Sequence, residues 1–235
     1  MVEIQPLGSS SAGNAYRITD GHTALLLEAG IKYKEIQRGV GFRMSEVAAC
    51  LITHEHGDHS RAAADVMRAG IPVFTARGTA EALGLSGHRL RVVQAREEFT
   101  VGSWTILPFE IEHDAAEPLG FLLANRSGDK LLFVTDTYYV RYRFPGLTHI
   151  MVECNYSIDI LNANIAAGRI PAVMKSRLLR SHFGLDHVKD FIRANDMSRV
   201  QEIWLLHLSD ANSDAEFFKN EIQKITGKVV RIADR

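Results

Sequence analysis

Apolar residues along the chain fall into short blocks and period-2 alternations more often than into long helical stripes. Val2–Leu7 and Asn14–Thr19 read as strands flanking a turn-rich stretch from Gly8 to Gly13, and Thr23–Glu28 is an apolar strand closed by Ala29-Gly30. Ile31–Val40 has helical spacing. Glu46–Thr53 ends as a buried strand and runs straight into His54-Glu55-His56-Gly57-Asp58-His59. Asp58–Ala69 then reads as a helix, Ile71–Phe74 as a strand and Gly78–Leu83 as a short helix. Arg91–Val93, Phe99–Val101, Trp104–Ile111, Gly120–Ala124, Lys130–Thr135 and Ile150–Glu153 follow as short strands. Helices Ala172–Leu179 and Asp186–Ala194, strand Glu202–Leu206, helix Asp214–Thr226 and strand Val229–Ile232 complete the pattern. Strand clusters with interspersed helices in both halves predict two sheets packed face to face with helices outside. With no repeat, low-complexity linker or charge block, residues 1–235 read as one domain.

Composition narrows the classes. The 235 residues carry 27 Lys+Arg against 28 Asp+Glu, a formal charge of −1, with 46% hydrophobic residues. That balance excludes a globally basic nucleic-acid sheath, though not a local basic face. No apolar run approaches the roughly 20 residues of a membrane helix, and the first residues lack a basic-then-apolar leader. Two distant cysteines, Cys50 and Cys154, make no disulfide framework. A cytoplasmic protein without membrane attachment is expected.

The chemistry lies in the histidines. His54-x-His56-x-Asp58-His59 places four metal-competent side chains within six residues, directly after a buried strand. Imidazole and carboxylate are donors that Zn²⁺, Mn²⁺ and Fe²⁺ accept. Such a spacing arises by chance in about one chain per thousand of this composition. Four ligands from one loop cannot close two metal sites, so partners are expected elsewhere. His113, Asp136 and His207 each stand where an apolar strand stops, a place from which a scaffold aims a side chain rigidly. His22, His88, His149 and His187 fit no such pattern and read as surface or packing residues.

In its order of His-x-His-x-Asp-His, then His, Asp and His, the chain resembles the metallo-β-lactamase superfamily over essentially its whole length. The resemblance implies an α/β fold, the four-layer αββα sandwich, with two divalent metal ions per chain, zinc first and manganese or iron as alternatives. His54, His56 and His113 would hold one ion, and Asp58, His59 and His207 the other, with Asp136 bridging. Glu28, standing where the family usually has Asp before Ala-Gly, would support the metal loop from behind.

Gly8 to Tyr16, His113 to Phe121, Val152-Glu153-Cys154-Asn155 and His207-Leu208-Ser209-Asp210-Ala211-Asn212 resemble the YycJ/WalJ-type branch, regarded as DNA exonucleases and kin to RNase Z. The implied activity is phosphodiester hydrolysis of nucleic acid, DNA favoured over RNA, with a metal-bridging hydroxide as nucleophile. His182 would be the proton donor to the leaving oxygen, Asp58 would serve catalysis as well as coordination, and Glu153 would stand behind the ligands. Ser10, Asn14, Arg177, Arg180 and Asn212 are the candidate substrate contacts. Arg169, Lys175, Arg177 and Arg180 occupy a stretch without acidic residues that leads into His182, and Tyr138, Tyr139, Arg141, Tyr142 and Arg143 follow Asp136, mixing stacking surfaces with phosphate partners. A small-molecule hydrolase, a lactonase or cyclic-phosphate diesterase, is the alternative on the same metal site.

Overall fold

The structure is a computed structural model that describes residues 2–233. The chain divides into two compact units, one built on residues up to Glu110 plus Ala115–Asp129, the other on Ile111–Asp114 plus Lys130–Ala233.

The first unit holds a six-stranded sheet in the order β1 (Glu3–Gly8), β2 (Ala15–Thr19), β3 (Ala24–Leu27), β4 (Val47–Leu51), β5 (Val73–Thr75) and β6 (Leu90–Val92). The first three strands are antiparallel, and from β3 onward the pairs are parallel. Leu25, Leu26, Leu27, Cys50 and Leu51 are fully buried, as expected of strands covered on both faces. Helices α1 (Tyr33–Gly39), α2 (Gly57–Ser60), α3 (Ala63–Arg68) and α4 (Arg77–Ala82) connect them. The same unit carries the antiparallel strands β7 (Phe99–Val101), β8 (Trp104–Glu110) and β9 (Leu119–Asn125). The helix expected over Asp58–Ala69 is two short helices. The Ala62 amide donates to the Ala29 carbonyl at 2.8 Å, a tertiary bond that interrupts the helical ladder.

The second unit is a parallel ladder of β10 (Lys130–Val134), β11 (His149–Glu153), β12 (Glu202–Leu206) and β13 (Val229–Ile232). Helices α5 (Ile158–Ala166), α6 (Val173–Ser181), α7 (Leu185–Ala194) and α8 (Ala215–Thr226) join the strands. α8 begins where expected, because Asp214 caps it by accepting from the Phe217 amide, and it ends at Gly227 in the left-handed region. α5 is absent from the hydrophobic pattern. Its buried face consists of Leu161 and Asn164, and a buried asparagine is invisible to a search for apolar periodicity. Leu131, Leu132, Phe133, Val134, Ile150, Met151 and Val152 are all fully buried. Because β10, β11 and β12 run parallel and in register, Val134 beside Val152 and Glu153 beside Leu206, their carboxyl ends open on one edge. That edge is where open parallel sheets place their ligands. No described helix is long and apolar enough to cross a membrane.

Candidate metal centre

In the first unit the histidine loop leaves the carboxyl end of β4. Its main chain is braced by main chain: the Asn14 amide donates to the Asp58 carbonyl at 2.7 Å and the Ala29 amide to the His59 carbonyl at 2.8 Å. Gly30 lets the loop lie this close, since a Cβ there would stand 1.6 Å from the Asp58 carbonyl oxygen. Glu28, fully buried and with φ of 65°, receives the Thr53 amide at 3.2 Å and reaches to 3.8 Å from His59 Nδ1. Burial raises its carboxyl above the ordinary range, against the pull of His59 and Thr53.

The imidazoles of the loop are close together. The His54 ring centroid lies 4.7 Å from that of His56 and 4.3 Å from that of His59. His54 Nδ1 meets the Thr53 hydroxyl at 2.9 Å, so its Nε2 is the nitrogen left for coordination. His59 Nε2 stands 3.4 Å from Asp58 Oδ2. Two ligand atoms of one tetrahedral ion stand roughly 3.3–3.6 Å apart.

In the second unit the donors come from separate strand ends. The His113 side chain is covered, and its Nδ1 lies 2.9 Å from the Ser181 carbonyl, to which it donates. Its Nε2 is thereby the unprotonated nitrogen, and it stands 3.7 Å from Asp136 Oδ2. Burial lowers the His113 pKa despite the charges of Asp136 and Glu153, favouring the neutral form that binds metal. Asp136 and His207 end their strands with φ of 45° and 51°. With Glu28 they are three of the five non-glycine residues with positive φ among the described residues. Backbone strain of this kind, about 1–3 kcal/mol each, persists at functional sites where the surrounding structure over-determines it.

Asp136, Glu153, His182 and His207 converge, each offering an atom within 4.8 Å of the others. Glu153 is the hub. Its Oε1 accepts from His182 Nδ1 at 2.6 Å, and His207 Nδ1 stands between it, at 3.2 Å, and Asp136 Oδ1, at 2.7 Å. Its Oε2 accepts from the Phe183 amide at 3.0 Å and the Thr137 amide at 3.2 Å. With both oxygens spent on four donors, Glu153 orients imidazoles and has no lone pair aimed at an ion. Burial works to raise its pKa, but His182 and these hydrogen bonds hold it below the ordinary range. The same contact raises His182 against the effect of burial. Protonated at Nδ1, both histidines point Nε2 outward from the carboxylate. His182 is the C-cap of α6, two residues before the Gly184 N-cap of α7, and its ring lies 5.9 Å from His113 and 5.5 Å from His207. The two donor sets, imidazoles with oriented Nε2 atoms beside carboxylates at chelating separations, fit divalent metal ions.

The candidate substrate contacts fare differently. Asn14 is fully buried, its amide donating to the Ser10 and Asp58 carbonyls at 3.1 and 3.2 Å, so it braces the loop and is not open to substrate. Asn212 is likewise buried, accepting from Asn164 at 3.0 Å and tying the segment after His207 to α5. Both expectations are corrected by burial. Ser10 closes its own turn, its hydroxyl accepting from the Ala12 amide at 3.2 Å. Arg177 and Arg180 are exposed on α6 and make no ion pair among the described residues. Arg169 and Lys175, by contrast, donate to Asn164 and Asn162, each at 2.7 Å. Thr53 and Ser181, which set imidazole orientation, gave no signal in the sequence because one acts through a hydroxyl beside its own ligand and the other through a carbonyl.

Residues 29–208 match the Beta-lactamase superfamily domain, and the chain belongs to that family. It is 27% identical over 240 residues to the exodeoxyribonuclease YycJ of Bacillus anthracis, an alignment covering 93% of this chain and 87% of that protein. The exodeoxyribonuclease WalJ of Streptococcus pneumoniae is also 27% identical, over 230 residues, with 89% and 82% covered. Among solved structures, the metallo-β-lactamase fold protein YhfI of Bacillus subtilis superposes with a TM-score of 0.77 at 15% identity, covering 99% of this chain and 96% of that one. Human tRNase Z, short form, superposes with a TM-score of 0.67 at 13% identity, with 100% and 96% covered. The chain therefore has the metallo-β-lactamase fold expected of it, and kinship with the tRNase Z fold holds.

Proposed function

We propose that residues 1–235 act as one cytoplasmic metallohydrolase domain that cuts phosphodiester bonds of nucleic acid, DNA before RNA. In this reading His54, His56 and His113 would hold one divalent ion and Asp58, His59 and His207 a second, with Asp136 a ligand shared by both, zinc being the first choice and manganese or iron alternatives. Bound there, the ions would activate water and stabilise negative charge developing on phosphate. Glu153 holds the His182 ring by its Nδ1 atom and, together with Asp136, the His207 ring by its own, so that His207 would present Nε2 as a ligand and His182 Nε2 as a proton donor. His182 is half-buried and held by a carboxylate, and it hands its proton to the departing sugar oxygen. The observation that carries this reading is the Glu153–His182 bond: it supplies a positioned acid beside the donor set, which an alkoxide leaving group needs. The names of the YycJ and WalJ relatives, both exodeoxyribonucleases, support the choice of substrate.

The test is cleavage of end-labelled single- and double-stranded DNA and RNA by metal-loaded protein, alongside bis-p-nitrophenyl phosphate and a homoserine lactone. DNA is expected to be cut. His182→Ala should lose about 10²–10⁴ in turnover on DNA and much less on the p-nitrophenyl ester, whose leaving group needs little protonation. Lactone turnover without cleavage of any nucleic acid would overturn the nuclease in favour of the small-molecule hydrolase. Equal losses on both esters would remove His182 from the acid role.

A further inference from the structure

Beside the donor cluster of the second unit lies a cavity of about 500 Å³, within the range of small-ligand pockets. One wall is the segment after Asp136, with Tyr138 and Tyr139 exposed at 37% and 56%. Neither tyrosine hydroxyl makes a hydrogen bond among the described residues. The opposite wall is a face of α7, where His187, Asp190, Phe191 and Ala194 recur at helical spacing. Phe183 closes the wall between them, its ring 6.3 Å from those of His187 and Phe191.

Aromatic rings and cationic side chains share this lining. Arg141 lines the cavity and is neutralised by Glu112, whereas Arg143 is exposed and forms no ion pair among the described residues. Asp190 is paired with Arg193 at 3.2 Å. A purely apolar ligand would strand Arg143 and His187, and a bare sugar phosphate would leave the tyrosine faces unused. A heterocycle carrying a phosphate uses both, stacking on the rings with its charge on the arginine. The cavity is also tied to the chemistry. One oxygen of Glu153 receives the amides of Thr137 and Phe183, one from each of two adjoining wall segments, while its other oxygen holds His182 and His207.

We propose that this cavity is a nucleobase subsite, taking the base of the nucleotide next to the phosphodiester being cut, stacked on Tyr138 or Tyr139 with its flanking phosphate on Arg143. The subsite deepens the nuclease reading and rests on it for the identity of the strand, but its test does not depend on cleavage. The probe is 2-aminopurine deoxynucleotide, as its 5′- and its 3′-monophosphate, neither of which has a phosphodiester to cut. Stacking should quench its fluorescence on titration with metal-loaded protein. Tyr138→Ala combined with Tyr139→Ala should weaken that binding about 5- to 150-fold, the range of one aromatic–base stack, and the corresponding Phe substitutions should restore it. On a DNA oligonucleotide the Ala pair should raise KM by a similar factor, leaving bis-p-nitrophenyl phosphate unaffected. Absence of quenching in wild type, or equal quenching in the Ala pair, overturns the subsite. Quenching as expected with no nucleic acid cut by wild type overturns the nuclease and leaves the subsite standing.

Discussion

The two donor sets are built by opposite means. The His54–His59 loop is continuous in sequence and held by main-chain bonds, with Asn14, Ala29 and Gly30 pressed against the backbone of Asp58 and His59. The set of the second unit draws His113, Asp136, His182 and His207 from distant points of the chain and holds two of those imidazoles through one buried carboxylate, Glu153. The loop rests first on how closely its backbone is approached, with the Asn14 and Glu28 side chains adding to that support. The scattered set gathers its supports around one side chain, Glu153, with the Ser181 carbonyl holding His113 and Asp136 also facing His207. Geometry of similar precision is thus reached by steric closeness in one region and by a hydrogen-bonding hub in the other.

The sharpest break in the comparison is Gly30→Ala. The new Cβ would meet the Asp58 carbonyl at 1.6 Å and its carbon at 2.1 Å, and both are backbone atoms that cannot rotate away. The loop must move, at a cost above the roughly 1–3 kcal/mol usual for overpacking, and zinc content measured by elemental analysis should fall together with thermal stability. Gly57, inside the motif itself, has nothing within 4 Å of where a Cβ would stand. Gly57→Ala should load metal like wild type and shift stability by less than about 0.5 kcal/mol. Should the two variants behave alike, closeness of approach is not what builds the loop.

Glu153→Gln strikes the other region. The amide keeps the shape but turns one acceptor oxygen into a donor facing imidazole or main-chain N–H groups, so at least one of four bonds is lost. Loss of such an orienting partner lowers metal affinity about 10- to 100-fold. Competition with a chelator should show that loss at one ion per chain, with the other held as before. Uniform weakening of both ions would mean that the hub also serves the loop.

Legibility followed the same division. The loop could be read because its donors are adjacent, and Asp136 and His207 because fully apolar strands stop just before them. Glu153 was readable only through its Glu-x-Asn context, since a carboxylate at a strand end does not announce that it faces two imidazoles. Tertiary bonds hid the rest. The Ala62–Ala29 bond breaks a helix that spacing alone would continue, and burial of Asn164 conceals α5. Asn14 and Asn212 look like substrate groups in sequence and prove to be internal braces. His187 is exposed, as expected of a surface residue, and it lines the cavity because α7 turns the face 187-190-191-194 toward it.

The smallest expected effect tests whether α6 belongs to either region or to the substrate. Ser181, its last residue, orients His113 through a carbonyl, and His182 caps the helix, so its end is part of the scattered set. Arg177 and Arg180 lie upstream on the same helix, exposed and without ion pairs among the described residues. Replacing both with Gln leaves the Ser181 carbonyl and Glu153 untouched, so metal loading and hydrolysis of bis-p-nitrophenyl phosphate should stay at wild-type levels. Each arginine that neutralises a backbone phosphate releases counterions, so log affinity for DNA falls linearly with log salt. Losing two contacts should reduce that slope by about 1.4–1.8, at 0.7–0.9 per contact. Binding titrations at four or five salt concentrations measure it directly. An unchanged slope would make this face of α6 solvated surface, leaving only the Ser181–His182 end of the helix to function.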